Sequence, residues 1–238
     1  MKADLIIFDK DGTLIDFDAF WVSVSINAIK YVLKELGRED IPVGEALSAI
    51  GVEDGVTDID GALCKGTYFE IAEIIYGVIA SHGCDTEREA VIKLIIDGYN
   101  ICADTGVVEP TCEGIVPYLN ELKANGIRLA LVTTDNPYIT EICLKKLGAY
   151  ELFDRIYADD GEHPTKPDPY YANELMREFC VRGENMIMVG DTMTDVRFAK
   201  NAGIYAVSVA PRKESAIRLA PHTDKVIDKI TDLAEIIE

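Results

Sequence analysis

A chain of 238 residues, 48% of them hydrophobic, can bury one substantial core, or one core with a smaller attached domain, and is too apolar to be disordered. Its 23 basic against 42 acidic residues give a formal net charge of −19, which repels nucleic-acid backbones and offers no steering toward anionic membranes. The same field repels a free phosphate ester, so an anionic substrate needs local compensation from a metal or a lysine.

Residues 4–8 (DLIIF) form a short apolar run that ends in Asp9. The rhythm then breaks. The stretch 19–37 reads as a long amphipathic helix, and 66–83 and 87–103 as two more, with no convincing strand between them. The intervening 43–66 is glycine-rich and partly helical at best. From about 108 onward apolar runs recur at 127–132, 154–158, 186–189 and 204–209, each closing on polar residues or Pro211. Helical patterns at 115–126, 139–148, 168–179 and 195–203 alternate with them, three of the four stopping at a glycine. The tail, 224–238, reads as a last short strand and an amphipathic helix.

Near-continuous apolar strands alternating with helices predict an α/β fold, a Rossmann-like parallel sheet whose ligands sit beyond the carboxyl ends of its strands. The expected organisation is an α/β core of residues 1–16 and 108–238 with an all-helical domain, 17–107, inserted into it. Hinges are expected at Ile15–Phe20 and Thr105–Pro110. The six cysteines show no CxxC pair and read as mostly buried thiols in a reducing compartment. Two aspartates arrive too early for a signal peptide and no apolar run is long enough to span a bilayer, so a cytoplasmic location is the expectation.

Four signals fall at strand ends or helix starts. FDKDGTLID, 8–16, places Asp9 and Asp11 two residues apart, so alternate side chains of an extended segment can address one site while Lys10 points elsewhere. Gly12 follows, free to adopt a backbone closed to other residues. A calcium loop would need a closing Glu where the chain has Phe20. Thr133 and Thr134 end a strand in LVTTDN, Lys166 precedes a helix in HPTKPDPYY, and Asp191 and Asp195 lie in VGDTMTD. Each alone has a structural explanation, as a cap or a solvated charge; four in order on one sheet edge point to chemistry.

In these motifs the chain resembles the haloacid dehalogenase superfamily, in the branch with a helical cap inserted after the first motif, which includes enzymes like phosphoglycolate phosphatase and β-phosphoglucomutase. The resemblance spans essentially the whole chain. It implies Asp9 as nucleophile and Asp11 as general acid and base. It further implies Thr133 and the backbone N–H of Thr134 as phosphate binders, with Lys166 as the third-motif lysine. Magnesium would be held by Asp9, the backbone carbonyl of Asp11, Asp191 and, directly or through water, Asp195. An aspartate at position 11 implies P–O rather than C–halogen or C–P cleavage.

Elementary electrostatics agrees. A carboxylate attacking a phosphate ester among other carboxylates needs a hard, oxygen-preferring cation, and Lys166 adds a second positive charge. The expected activity is a magnesium-dependent phosphatase acting on a small phosphorylated metabolite through an aspartyl-phosphate, with no nucleic-acid or membrane partner. A phosphosugar mutase or a pyrophosphatase would share this core chemistry, and a non-catalytic binding protein is a more distant alternative. In the insert, Lys65 is a candidate for substrate contact, against the simpler reading of a solvated surface lysine. His163, in the loop before Lys166, stands in the same position.

Overall fold

The computed structural model describes residues 1–237. Strand β1 (Leu5–Phe8) carries four apolar residues because all four are buried, with a helix layer or a neighbouring strand on every side. After β1 the chain makes a tight turn in which Leu14 N and Ile15 N both donate to Lys10 O. It then enters a helical unit, residues 17–108, which is compact by itself; residues 1–16 and 109 onward form the other compact unit. Within the latter, Asp16 N donates to Glu109 O at 2.8 Å, so the outgoing and returning chains run side by side.

The helical unit contains α1 (Phe17–Glu35), α2 (Val43–Ala49), β2 (Val52–Glu53), β3 (Val56–Thr57), α3 (Ala62–Lys65), α4 (Tyr68–Ser81) and α5 (Arg88–Cys102). Apolar faces of α1, α4 and α5 meet in its interior, with Val24, Ile75 and Val91 fully buried. Tyr99, also buried, donates to Ser25 Oγ at 3.0 Å and so satisfies the polar end of a core aromatic. An all-helical insert with no convincing strand was the expectation, and β2 and β3 correct it: they pair antiparallel, Val52 opposite Thr57. Asp54 and Gly55 turn the hairpin with φ of 50° and 79°, the backbone that an Asp-Gly pair favours in a two-residue loop.

The other unit continues with α6 (Ile115–Ala124), β4 (Arg128–Val132), α7 (Pro137–Leu147), β5 (Arg155–Tyr157), α8 (Tyr170–Phe179), β6 (Met186–Gly190), α9 (Met193–Ala202), β7 (Tyr205–Val209), α10 (Lys213–Leu219) and β8 (Lys225–Ile227). Its six strands lie in the order β5-β4-β1-β6-β7-β8, every adjacent pair parallel. This is the expected Rossmann-like core. The chain builds outward from β1 through β4 to β5, then returns to the far side of β1 for β6, and the reversal leaves crevices beside β1. Leu5 and Ile7 face a cluster with Tyr171, Leu175 and Phe198 of α8 and α9. On the opposite face Phe8 meets Phe153 edge-on at 6.4 Å.

Several expectations shift. Helix α9 starts at Met193, two residues before Asp195, because Thr192 caps it. The tail closes in a 3-10 helix, Ile230–Glu235, rather than in the amphipathic helix expected there. Helix α10 was not anticipated. Of the cysteines only Cys102 and Cys143 are buried; Cys180 is exposed and the others are half-buried.

Candidate active site

The register of the sheet sets the site. Phe8 is level with Leu131 on one side and Val189 on the other, so the residues that follow β1, β4 and β6 emerge together at the carboxyl edge. Asp9 N donates to Val189 O at 2.9 Å and Thr133 N to Tyr157 O at 3.0 Å, which fixes both residues at strand ends. Among the described residues, Asp9, Asp191 and Asp195 form a group whose ligand oxygens all lie within 4.8 Å of one another.

Lys166 joins this group from the loop before α8. Its ammonium is buried and donates to Asp9 Oδ1 at 2.7 Å and to Asp195 Oδ1 at 2.6 Å. The other oxygen of Asp195 is committed as well. Oδ2 accepts from Thr192 N at 3.0 Å and from Thr192 Oγ1 at 2.6 Å, while Thr192 Oγ1 accepts from Asp195 N, a reciprocal cap at the start of α9. Asp191 is engaged less: Thr13 Oγ1 donates to its Oδ1 at 3.2 Å.

Two glycines permit this crowding. A Cβ on Gly12 would lie 2.2 Å from Asp191 Oδ2, and its φ of +73° already excludes most side chains. A Cβ on Gly190 would lie 2.3 Å from Asp195 Cγ.

So many carboxylates with one lysine are electrostatically unbalanced. Burial pushes the Asp9 carboxyl up to about 7, Asp195 and Asp11 adding to the shift and Lys166 opposing it. Burial, followed by repulsion from Asp9 and Asp195, holds Asp191 well above the ordinary carboxylate range. Burial weakens the proton affinity of Lys166, but Asp195 and Asp9 outweigh it and the net shift is upward, so the lysine stays charged. An all-oxygen, anionic donor set with a deficit of positive charge fits a hard divalent cation such as magnesium.

The remaining expected residues are placed as follows. The Asp11 carboxylate stands outside the three-aspartate group and receives Lys10 Nζ at 2.8 Å. Lys10 was expected to point away from the acidic pair. Instead its ammonium, fully buried, closes on Asp11 and on Asp135 Oδ2 at 2.9 Å, because a buried charge must find counter-charges. Thr133 is buried and its Oγ1 accepts from Asp135 N at 3.2 Å, whereas Thr134 is exposed. Lys65 is exposed at the end of α3 and pairs with Asp60 inside the helical unit. His163 Nδ1 lies 2.8 Å from Asp160 Oδ2 and its ring stacks on Tyr170. It lines a cleft of about 410 Å³ beside β5, whose walls include none of Asp9, Asp11, Asp191 or Asp195.

Lys10, Thr13, Asp135 and Thr192 were not singled out from sequence. Thr13 and Thr192 adjoin the aspartates they serve, so nearness to a motif was the available signal. Asp135, two residues beyond Thr133, offered a weaker form of the same signal.

Comparison with known proteins gives a family to this α/β core, with its carboxylate-rich strand edge and its helical insertion after the first strand. Residues 3–203 match the family model of the haloacid dehalogenase-like hydrolases. The chain belongs to that family and is an enzyme of the phosphoric monoester hydrolase type, with a helical cap like that of the phosphoglycolate phosphatase and β-phosphoglucomutase branch. Pyrophosphatase PpaX of Halalkalibacterium halodurans is 29% identical over 240 residues, covering 100% of this chain and 98% of that protein. Phosphoglycolate phosphatase 1 of Pseudomonas aeruginosa is 28% identical over 231 residues, covering 96% and 78%. The fold of the HAD-hydrolase YfnB from Bacillus subtilis, solved with magnesium, superposes with a TM-score of 0.72 over 100% of both chains at 17% identity. No helix among the described residues is long and apolar enough to cross a membrane.

Proposed function

We propose that the protein is a magnesium-dependent phosphatase that hydrolyses a small phosphorylated metabolite through a phosphoaspartate on Asp9. The observation that carries this reading is the close group of Asp9, Asp191 and Asp195, with the buried Lys166 ammonium paired to Asp9 and Asp195. Magnesium, when bound by Asp9, Asp191 and the Asp11 backbone carbonyl, with Asp195 behind them, supplies the charge that lets an anionic nucleophile meet an anionic ester.

The chain's own residues do the rest. Lys166 favours the ionised form of Asp9, orients it and offers charge to the phosphoryl oxygens. Thr133 Oγ1 and the N–H of Thr134 bind those oxygens. As the Asp9 oxygen bonds to phosphorus, the bond from phosphorus to the ester oxygen breaks, and Asp11 gives that oxygen its proton. Water then attacks phosphorus, loses a proton to Asp11 and releases inorganic phosphate, which regenerates Asp9 as carboxylate and Asp11 as acid. The net reaction is ester plus water to alcohol plus phosphate.

A second reading, hydrolysis of inorganic pyrophosphate, draws support from the relative named Pyrophosphatase PpaX, which matches over nearly its whole length. Both readings use the same nucleophile and differ only in the leaving group. Lys65 remains a proposed substrate contact. The net charge of −19 disfavours polyanionic partners such as nucleic acid.

The test is turnover of pyrophosphate, phosphoglycolate and a panel of sugar and nucleoside monophosphates, with magnesium and with chelator, beside Asp9→Asn. Turnover that needs magnesium and disappears in the variant is the expected result. Full activity in Asp9→Asn would overturn the mechanism.

A further inference from the structure

Lys10 and Lys166 are both buried, and the proposed mechanism gives Lys10 no task. Desolvation works against its charge, yet Asp11 and then Asp135 outweigh burial and hold it protonated. Such a buried ionic group is a poor stabilising device, because apolar residues of similar volume commonly serve a fold as well or better. Its geometry indicates another purpose.

Asp135 is anchored on all sides. Its Oδ1 accepts from Asn136 N at 2.7 Å, its N donates to Thr133 Oγ1 at 3.2 Å, and its carbonyl accepts from Asp159 N at 2.8 Å. Its Oδ2 faces Lys10 Nζ at 2.9 Å, and Lys10 Nζ in turn donates to Asp11 Oδ1 at 2.8 Å. On another side of the ammonium lies Cys143 Sγ, 3.8 Å away, a thiol whose pKa burial pushes up to about 12 and which therefore brings no counter-charge. The ammonium is thus a fixed point joining the loop after β1 to the loop after β4.

We propose that Lys10, clamped by Asp135, is a positioning residue that grips Oδ1 of Asp11 and so presents Oδ2 to the leaving-group oxygen. This inference rests on the reading of Asp11 as the group that protonates that oxygen. It makes a distinctive demand: Lys10 matters in proportion to how badly the leaving group needs a proton. A phenolate of high basicity needs one, whereas dinitrophenolate departs unaided.

The experiment measures kcat/KM, which reports steps up to loss of the leaving group, for aryl phosphates from phenyl to 2,4-dinitrophenyl phosphate with saturating magnesium. For Lys10→Met the expected result is a loss of about 100-fold on phenyl phosphate and no more than about threefold on 2,4-dinitrophenyl phosphate, the signature of impaired acid catalysis. Asp135→Asn keeps the shape of the clamp and removes its charge, so it should steepen the same dependence to a smaller degree. It also serves as the deciding variant if Lys10→Met fails to fold. A uniform loss across the series, or no loss, overturns the positioning role. Asp11→Asn is the control: if it does not steepen the dependence, the reading of Asp11 as acid fails. If it does while both clamp variants do not, only the present inference fails.

Discussion

Lys166 donates to Asp195 Oδ1 at 2.6 Å with both groups buried, and the second oxygen of Asp195 is already tied to Thr192. Asp195 is therefore fixed to the first turn of α9 and in turn aims the ammonium at Asp9, 2.7 Å away. Lys166→Met removes the charge that both carboxylates share. Turnover is expected to fall by about 1,000-fold, in the range seen when one pre-organised electrostatic group is lost from a site. Because one partner of a buried ionic group is removed, the metal-free variant should also lose about 3 kcal/mol or more of stability. Urea melts and steady-state rates check the two effects separately. A variant that retains wild-type kcat would show that Lys166 only supports the fold.

Asp191 is held most weakly of the three clustered aspartates: its carboxylate takes a 3.2 Å donation from the neutral Thr13 Oγ1, whereas Asp9 and Asp195 each receive the Lys166 ammonium at 2.7 and 2.6 Å. It is the carboxylate best able to turn its oxygens to a cation. Asp191→Asn is expected to weaken magnesium binding by about 100-fold, and Thr13→Ala, which only unfixes the ligand, by about tenfold. Titration calorimetry with magnesium alone reads both, independently of any substrate. Equal affinities in all three proteins would remove Asp191 from the metal site.

Gly12→Ala tests the close approach of the turn to the same carboxylate. The added methyl would lie 2.2 Å from Asp191 Oδ2, on a backbone with φ of +73°. The turn must move or the carboxylate must, and either displaces the site. Magnesium affinity and kcat should both drop by at least about tenfold, as when a supporting neighbour of a metal ligand is lost, while far-UV circular dichroism stays unchanged. Retained metal binding would mean that the turn relaxes without disturbing Asp191.

The core strands and the strand-end aspartates were legible in sequence because a parallel sheet covered on both faces writes itself as apolar runs with polar ends. The helices of the insert were legible by period. The β2–β3 hairpin was not, since two residues per strand leave no alternation to detect; only the Asp54-Gly55 pair marked the turn. The start of α9 was displaced because Asp195 resembles a capping residue, whereas Thr192 is the cap and Asp195 answers it from the third helical position. The Lys10–Asp135 pair was beyond reach for a different reason. It joins residues 125 positions apart on neighbouring strand ends, and local pattern carries no record of which buried charges meet.

Proton occupancy of the cluster predicts how metal and pH act together. The Asp9 carboxyl is raised from 3.8 to about 7, chiefly by burial, and Asp191 shifts the same way. Between those values the folded, metal-free chain binds a proton that the unfolded chain has released. Stability contributed by this group is therefore fully present below about pH 4 and is lost as pH rises from about 4 to about 7. Magnesium binds the ionised carboxylates, so protons compete with it below about pH 7 and the competition fades above. The increment in Tm produced by saturating magnesium should accordingly be larger at about pH 8 than at about pH 5.5, and the difference should shrink in Asp9→Asn, which carries no titrating group at that position. Differential scanning calorimetry at the two pH values, with and without the metal, makes the comparison. An increment that does not change with pH would show that Asp9 is already ionised in the metal-free protein, and that Lys166 alone suffices to neutralise it.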